Sequence, residues 1–292
     1  MGWLSRCLLG AVMLVLACRV ATAWFGAGLA QPTVTTRDGS LVTLNRYVRE
    51  PMPDVVLVGS SVTFRLKEDY FLNGKVRNLA LAGGSPLTGL MVVANQPKLP
   101  KIILIETNVL SRAVDTRLVE KFAGMSRPDP LFFRPVRTAV AAYETWLHSP
   151  PGYAQMHAAR DKLLSQAPSN FDNHVFAERA LRQMNEEYPV EAVRANVEEL
   201  RRQLELIEGR GAKALLIEVP YSQAIEGSRF VELTKESLRS AFPDPALWLQ
   251  IDAPRAELRW ADGVHLDERS AVLVVRSIEK ALADRSTTKP SN

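Results

Sequence analysis

Four short blocks of this chain hold residue types that can carry out chemistry. Gly59-Ser60-Ser61 places two hydroxyls after a glycine, where a sharp turn can present a serine Oγ and a backbone N–H to a cleft. Leu79-Ala80-Leu81-Ala82 reads as a strand that follows the polar pair Arg77-Asn78 and runs into Gly83-Gly84, which let a backbone approach a ligand closely. Glu106-Thr107-Asn108 supplies an amide donor, and Asp262-Gly263-Val264-His265 sets a carboxylate three residues before a histidine. A serine hydroxyl is a poor nucleophile until a base takes its proton, and a histidine is a dependable base once a carboxylate fixes its tautomer. Addition to a carbonyl also needs hydrogen-bond donors aimed at the oxyanion that forms. Each block alone is ordinary turn composition; the order and spacing of the four together are not.

The first and third blocks follow apolar runs of the kind buried in a parallel sheet, Asp54–Val58 and Lys101–Ile105. Similar runs recur at Ala214–Val219 and, less cleanly, at Leu247–Ile251. Val193, Val197, Leu200, Leu204 and Ile207 share one face of a helix that ends at Gly209 and Gly211. Asp267 reads as the N-cap of a last helix carrying Val272, Val275, Ile278 and Leu282. Strands alternating with helices predict a three-layer α/β domain over 54–285.

Ahead of it, an extension over 24–53 carries alternating residues on both sides of Asp38-Gly39, a pattern that reads as a small hairpin over Pro32–Asn45. Between about 111 and 188 the pattern breaks at Pro128, Pro130, Pro135, Pro150 and Pro151, as in an inserted helical cap. Its aromatic residues Phe132, Phe133, Tyr143 and Trp146 are expected to pack the insert onto the sheet, with a substrate cleft as the other use for them. Arg127, Arg134 and Arg137 read as a solvated face, and His148, His157 and His174 as surface or structural residues. A polar tail over 286–292 is expected to be disordered.

A chain of 292 residues with 47% hydrophobic and 23% charged content can bury a full core. The net charge is +4, to which Arg6 and Arg19 of the N-terminal segment contribute two, and this gives no case for nucleic acid as a partner. Both cysteines, Cys7 and Cys18, lie in the first apolar run, so the body has neither a thiolate metal site nor a cysteine nucleophile. Arg6, the apolar stretch Cys7–Cys18 and Ala21-Thr22-Ala23 match the three regions of a secretory signal over 1–23. Because Arg19 interrupts the stretch, a cleaved signal is favoured over an uncleaved membrane anchor. Export to the periplasm or beyond is the expected address.

In order and spacing the four blocks resemble those of the SGNH hydrolases, the GDSL-like esterase superfamily, over Asp54 to about Leu282 apart from the insert. The resemblance implies a flavodoxin-like α/β/α fold with a parallel sheet. It assigns the nucleophile to Ser61, with Ser60 standing where the family has an aspartate. Gly83 becomes the oxyanion-hole glycine. The third block, Gly-x-Asn-Asp in the family, keeps only Asn108 here, and Asp-x-x-His is intact as Asp262 and His265. A Ser61–His265–Asp262 triad with the Ser61 N–H, the Gly83 N–H and the Asn108 amide as oxyanion donors needs no metal and no cofactor. The expected activity is that of an exported serine esterase removing acyl groups, acetyl first of all, from a carbohydrate or another envelope-associated ester. Passing the acyl group to a polysaccharide hydroxyl is the alternative, because exported SGNH-like proteins that acetylate exopolysaccharides share an N-terminal membrane segment and variant first and third blocks. The two lost aspartates leave a non-catalytic glycan-binding or assembly module as the third reading.

Overall fold

The computed structural model describes residues 2–25, 33, 35–72, 75–123, 135–148, 152–186 and 189–287. Its centre is a four-stranded sheet of β1 (Val55–Val58), β2 (Val76–Asn78), β3 (Ile102–Glu106) and β4 (Lys213–Ile217), all parallel, in the order β2-β1-β3-β4. Alternate strand residues face opposite sides. Val56, Val58, Ile103, Ile105, Ala214 and Leu216 enter one core with the buried faces of α3 (Pro86–Ala94), α4 (Thr116–Phe122) and α8 (Val190–Gly209). Leu57, Leu104, Leu215 and Ile217 enter the other, with Ile225 of α9 (Gln223–Glu226) and Phe230 of α10 (Arg229–Ala241), under α11 (Glu268–Thr287). The layers are therefore helix, sheet, helix, as the sequence predicts. The five expected apolar positions of α8 are all buried, and Asp267 accepts the Ser270 N–H at 2.8 Å as the cap of α11.

Several expectations are corrected. The stretch expected as a hairpin is a helix, α2 (Thr36–Arg49), started by the Thr35 hydroxyl accepting the Asp38 N–H at 3.1 Å. Its Leu41, Leu44, Tyr47 and Val48 lie at helical spacing and join the first core. The second strand lies a few residues early, at Val76–Asn78; Leu79 and Leu81 continue past it by donating their N–H groups to Leu57 O and Gly59 O at 2.7 and 2.9 Å. The expected fifth strand shrinks to a single parallel bridge between Leu216 and Trp248, because Pro245 opens a 3₁₀ turn capped by Asp244. α11 runs through Thr287, two residues into the expected tail, and 288–292 lie outside the described residues.

Within the insert stand α5 (Pro135–Leu147), α6 (Tyr153–Ser165) and α7 (His174–Glu186), while α4 belongs to the core through Leu118, Val119 and Phe122. Buried Arg160 ties α6 to the second layer, donating at 3.0 Å to Tyr70 O and to Glu279 Oε2. Tyr143 and Trp146 are 57% and 78% exposed, so they do not pack the insert down as expected. Phe132, Phe133, Arg127 and Arg134 lie outside the described residues. Arg137 pairs with Asp38 at 3.0 Å and joins α5 to α2. The chain begins with α1 (Trp3–Phe25), in which Trp3–Val20 has the length and the mean hydropathy of 1.7 of a membrane span or a signal sequence.

Candidate active site

Three of the four blocks leave the carboxyl ends of β1, β2 and β3, and the chain reverses its order across the sheet between β1 and β3. In open α/β sheets ligands settle at that reversal. Ser61 follows β1 and Asn108 follows β3, so they flank it. The fourth block arrives from the other end of the sequence in a loop closed by an antiparallel bridge between Trp260 and Leu266, with the Ala261 N–H donating to His265 O at 2.8 Å. Gly263 turns this loop with φ +83°, a conformation that favours glycine, and a Cβ there would crowd Ala177 of α7 at 3.2 Å.

The loop brings His265 to the serine turn. Its Nε2 lies 2.9 Å from Ser61 Oγ, and its Nδ1 lies 2.7 Å from Asp262 Oδ2. Asp262 Oδ1 accepts the backbone N–H of Val264 at 3.1 Å and of His265 at 2.7 Å. Burial by itself would raise the Asp262 pKa. The hydrogen bonds from the ring and backbone of His265, its charge and the Val264 N–H outweigh that effect and hold the carboxyl down at about 2. An ionised Asp262 keeps the proton on Nδ1, which leaves Nε2 as the acceptor for the Ser61 hydroxyl. The histidine and aspartate side chains are 23% and 35% exposed, open enough to meet a substrate.

Among the described residues neither the Ser61 N–H nor the Gly83 N–H has a hydrogen-bond partner. Gly83 lines a cleft of about 260 Å³ with Thr36, Ser40 and Asp115, and its strand exit is joined to the serine turn through the Leu81 N–H on Gly59 O. Asn108 is clamped to Val219, two residues past the end of β4: its Nδ2 donates to Val219 O and its Oδ1 accepts the Val219 N–H, both at 2.8 Å. One amide N–H then remains for another acceptor. Beside it the Tyr221 hydroxyl is buried, and burial first, then the Glu106 charge, push its pKa above the tyrosine range, so it stays protonated.

Sequence reasoning misses the parts played by Asn78 and Thr63, and leaves Glu106 open between tuning the site and standing as a plain charge at a strand end. Asn78 donates from Nδ2 to Thr63 O and Leu66 O, both at 2.8 Å, and anchors the far side of the serine turn. Thr63 and the carboxylate of Glu106 fill the inside of that turn. A single acid closing an apolar strand was the one available signal for Glu106. His148 and His174 are exposed and sit beside Glu144 and Asp172, at 3.6 and 2.9 Å, and the His157 ring lies edge-on to Tyr153. None of the three is part of the relay. His174 does stand at a cleft of about 430 Å³ between α7 and the histidine loop, walled by Phe171, Leu181, Leu258, Trp260 and Gly263. No group of three or more metal-ligating side chains occurs among the described residues. Set against protein-family models, curated proteins and solved structures, the chain matches none of them.

Proposed function

We propose that this chain is an exported serine esterase of the SGNH-hydrolase kind, which removes an acyl group from a carbohydrate or another envelope-associated ester through an acyl-serine intermediate. The observation that carries the reading is the relay Ser61–His265–Asp262, with contacts of 2.9 and 2.7 Å assembled from two ends of the sequence. In the first half-reaction His265 Nε2 takes the Ser61 proton as Oγ adds to the ester carbonyl, and Asp262 stabilises the imidazolium. The unpartnered N–H groups of Ser61 and Gly83 and the second amide N–H of Asn108 are the donors for the oxyanion; one such donor is worth about 2.7–4 kcal/mol of barrier. Collapse expels the alcohol, which receives the proton from His265. Water then enters by the same route and releases the acid.

The cleft between α7 and the histidine loop supports a second reading, in which a sugar hydroxyl replaces water as the acceptor. It borders Gly263, which lies between Asp262 and His265 in the histidine loop, and is lined by Phe171 and Trp260 beside Asn173 and Arg259. The apolar helix α1 supports delivery of either activity across or onto a membrane.

Labelling by a fluorophosphonate probe tests the nucleophile. The wild-type protein and Ser60→Ala are expected to label, and Ser61→Ala is not. Labelling retained in Ser61→Ala and lost in Ser60→Ala would move the nucleophile by one residue. Incubation with an acetyl ester, with and without oligosaccharide, separates free acetate from acetylated sugar and so decides between the two acceptors.

A further inference from the structure

Glu106 closes β3 with a carboxylate that is 0% exposed, and the acyl chemistry takes no proton from it. Every hydrogen bond it accepts comes from the serine turn. Oε2 accepts the Ser60 N–H at 2.7 Å, the Thr63 N–H at 3.1 Å and the Thr63 hydroxyl at 2.6 Å, and Oε1 accepts the Ser60 hydroxyl at 2.6 Å. The same Ser60 oxygen accepts the Val62 N–H at 3.2 Å. Residues 60, 62 and 63 are thus held through their backbone, and the one N–H passed over is that of Ser61. Gly59 is what admits the carboxylate: a Cβ there would stand 2.6 Å from Glu106 Oε2 and 2.5 Å from Thr63 Cβ.

A carboxylate removed from water is costly unless its lone pairs are filled, and backbone and hydroxyl donors to an anion make strong, short bonds. The fold places that cost directly beneath the nucleophile. An apolar side chain would have filled the same space, but it could not hold a turn with a net outward-facing Ser61. We propose that Glu106 is a positioning residue for Ser61: by drawing Ser60 and Thr63 inward onto one buried carboxylate from β3, it fixes the turn so that the Ser61 N–H and Oγ are the groups left over for the substrate. The role rests on the serine-esterase reading above.

The test compares wild type, Glu106→Gln, Thr63→Val and Ser61→Ala for fluorophosphonate labelling rate, for kcat and KM on an acetyl ester, and for thermal unfolding. A glutamine keeps the shape but not the charge: with its oxygen toward the Ser60 and Thr63 N–H groups its NH2 faces the Ser60 hydroxyl, which loses its acceptor and must turn, so the hold on the turn loosens; misplacing a reacting group by about 1 Å can cost about 10²-fold in rate. Glu106→Gln is expected to lower labelling rate and kcat about 10²-fold with KM little changed, and Thr63→Val, which removes a single donor, about tenfold by the same reasoning. Where Glu106→Gln does not fold, Thr63→Val decides. A folded variant that melts lower yet labels and turns over at the wild-type rate overturns the positioning role and leaves the esterase reading standing. An unreactive wild-type protein overturns the esterase reading itself, and the role of Glu106 with it.

Discussion

Asp262 divides its work between its two oxygens, and that division makes it the most informative single residue. Oδ1 shapes the loop by accepting two backbone N–H groups, while Oδ2 alone touches the His265 ring. In Asp262→Asn the amide oxygen can still serve the loop, but the amide nitrogen meets Nδ1 as a donor and drives the ring proton to Nε2, where it blocks acceptance from Ser61. The variant should fold and lose about 10⁴ in kcat. The carboxyl titrates at about 2 in place of its ordinary 3.8, so its contribution to stability is complete above pH 3.8 and lost as the pH falls through about 2. Melting curves of Asp262→Asn should therefore be flatter than wild type across that acid window. Unchanged kcat in Asp262→Asn would mean that the loop is only structural. Asn108→Ala gives a different result, because the clamp on Val219 is lost along with the oxyanion donor. It should lose about 10²–10³ in kcat and also melt lower, since the N–H and C=O of Val219, just past β4, are left unpaired.

Among the elements, those fixed by local periodicity were legible and those fixed by distant partners were not. The continuous apolar runs of β1, β3 and β4 and the spacing of α8 need no tertiary context to be read. The Asp262–His265 pair is equally local, since the carboxylate caps the turn that carries the histidine. What escaped were contacts across long sequence separations: Glu106 onto Ser60 and Thr63, Asn78 onto Thr63, and Asn108 onto Val219. α2 was misread for another reason. Asp38-Gly39 is strong turn chemistry, yet the Thr35 cap and the face formed by Leu41, Leu44, Tyr47 and Val48 outweigh one glycine once the core is there to receive them. If α2 is part of that core, Leu44→Ala should cost about 2–5 kcal/mol, because Leu44 is fully buried. Chemical denaturation of the purified protein measures this directly; a change near zero would return α2 to the status of a loose extension.

On the whole molecule, α1 is a described element whose apolar surface the fold leaves largely open. Leu4, Leu8, Met13 and Leu16 are all half exposed or more; among the α1 residues whose side chains are described only Cys18 is buried, and α1 packs on α5. A helix of 23 residues spans about 35 Å at about 1.5 Å per residue, enough for a hydrocarbon layer of about 30 Å. Arg19 does not break it, because the helix continues to Phe25, and both Arg6 and Arg19 lie near enough to an end for their long side chains to reach the headgroups. The continuous helix gives an uncleaved anchor the length that Arg19 would have denied it, and a cleaved signal meets the same test of length and composition. A reporter that is active only outside the cytoplasm, fused to the last residue of the full chain, should be active, and deletion of residues 1–25 should silence it. The exported chain should keep its full mass and stay in the membrane after an alkaline wash. A product beginning at Trp24 and free in solution would show that Ala21-Thr22-Ala23 is cut, and a reporter silent in the full chain would show that α1 does not carry the body out of the cytoplasm.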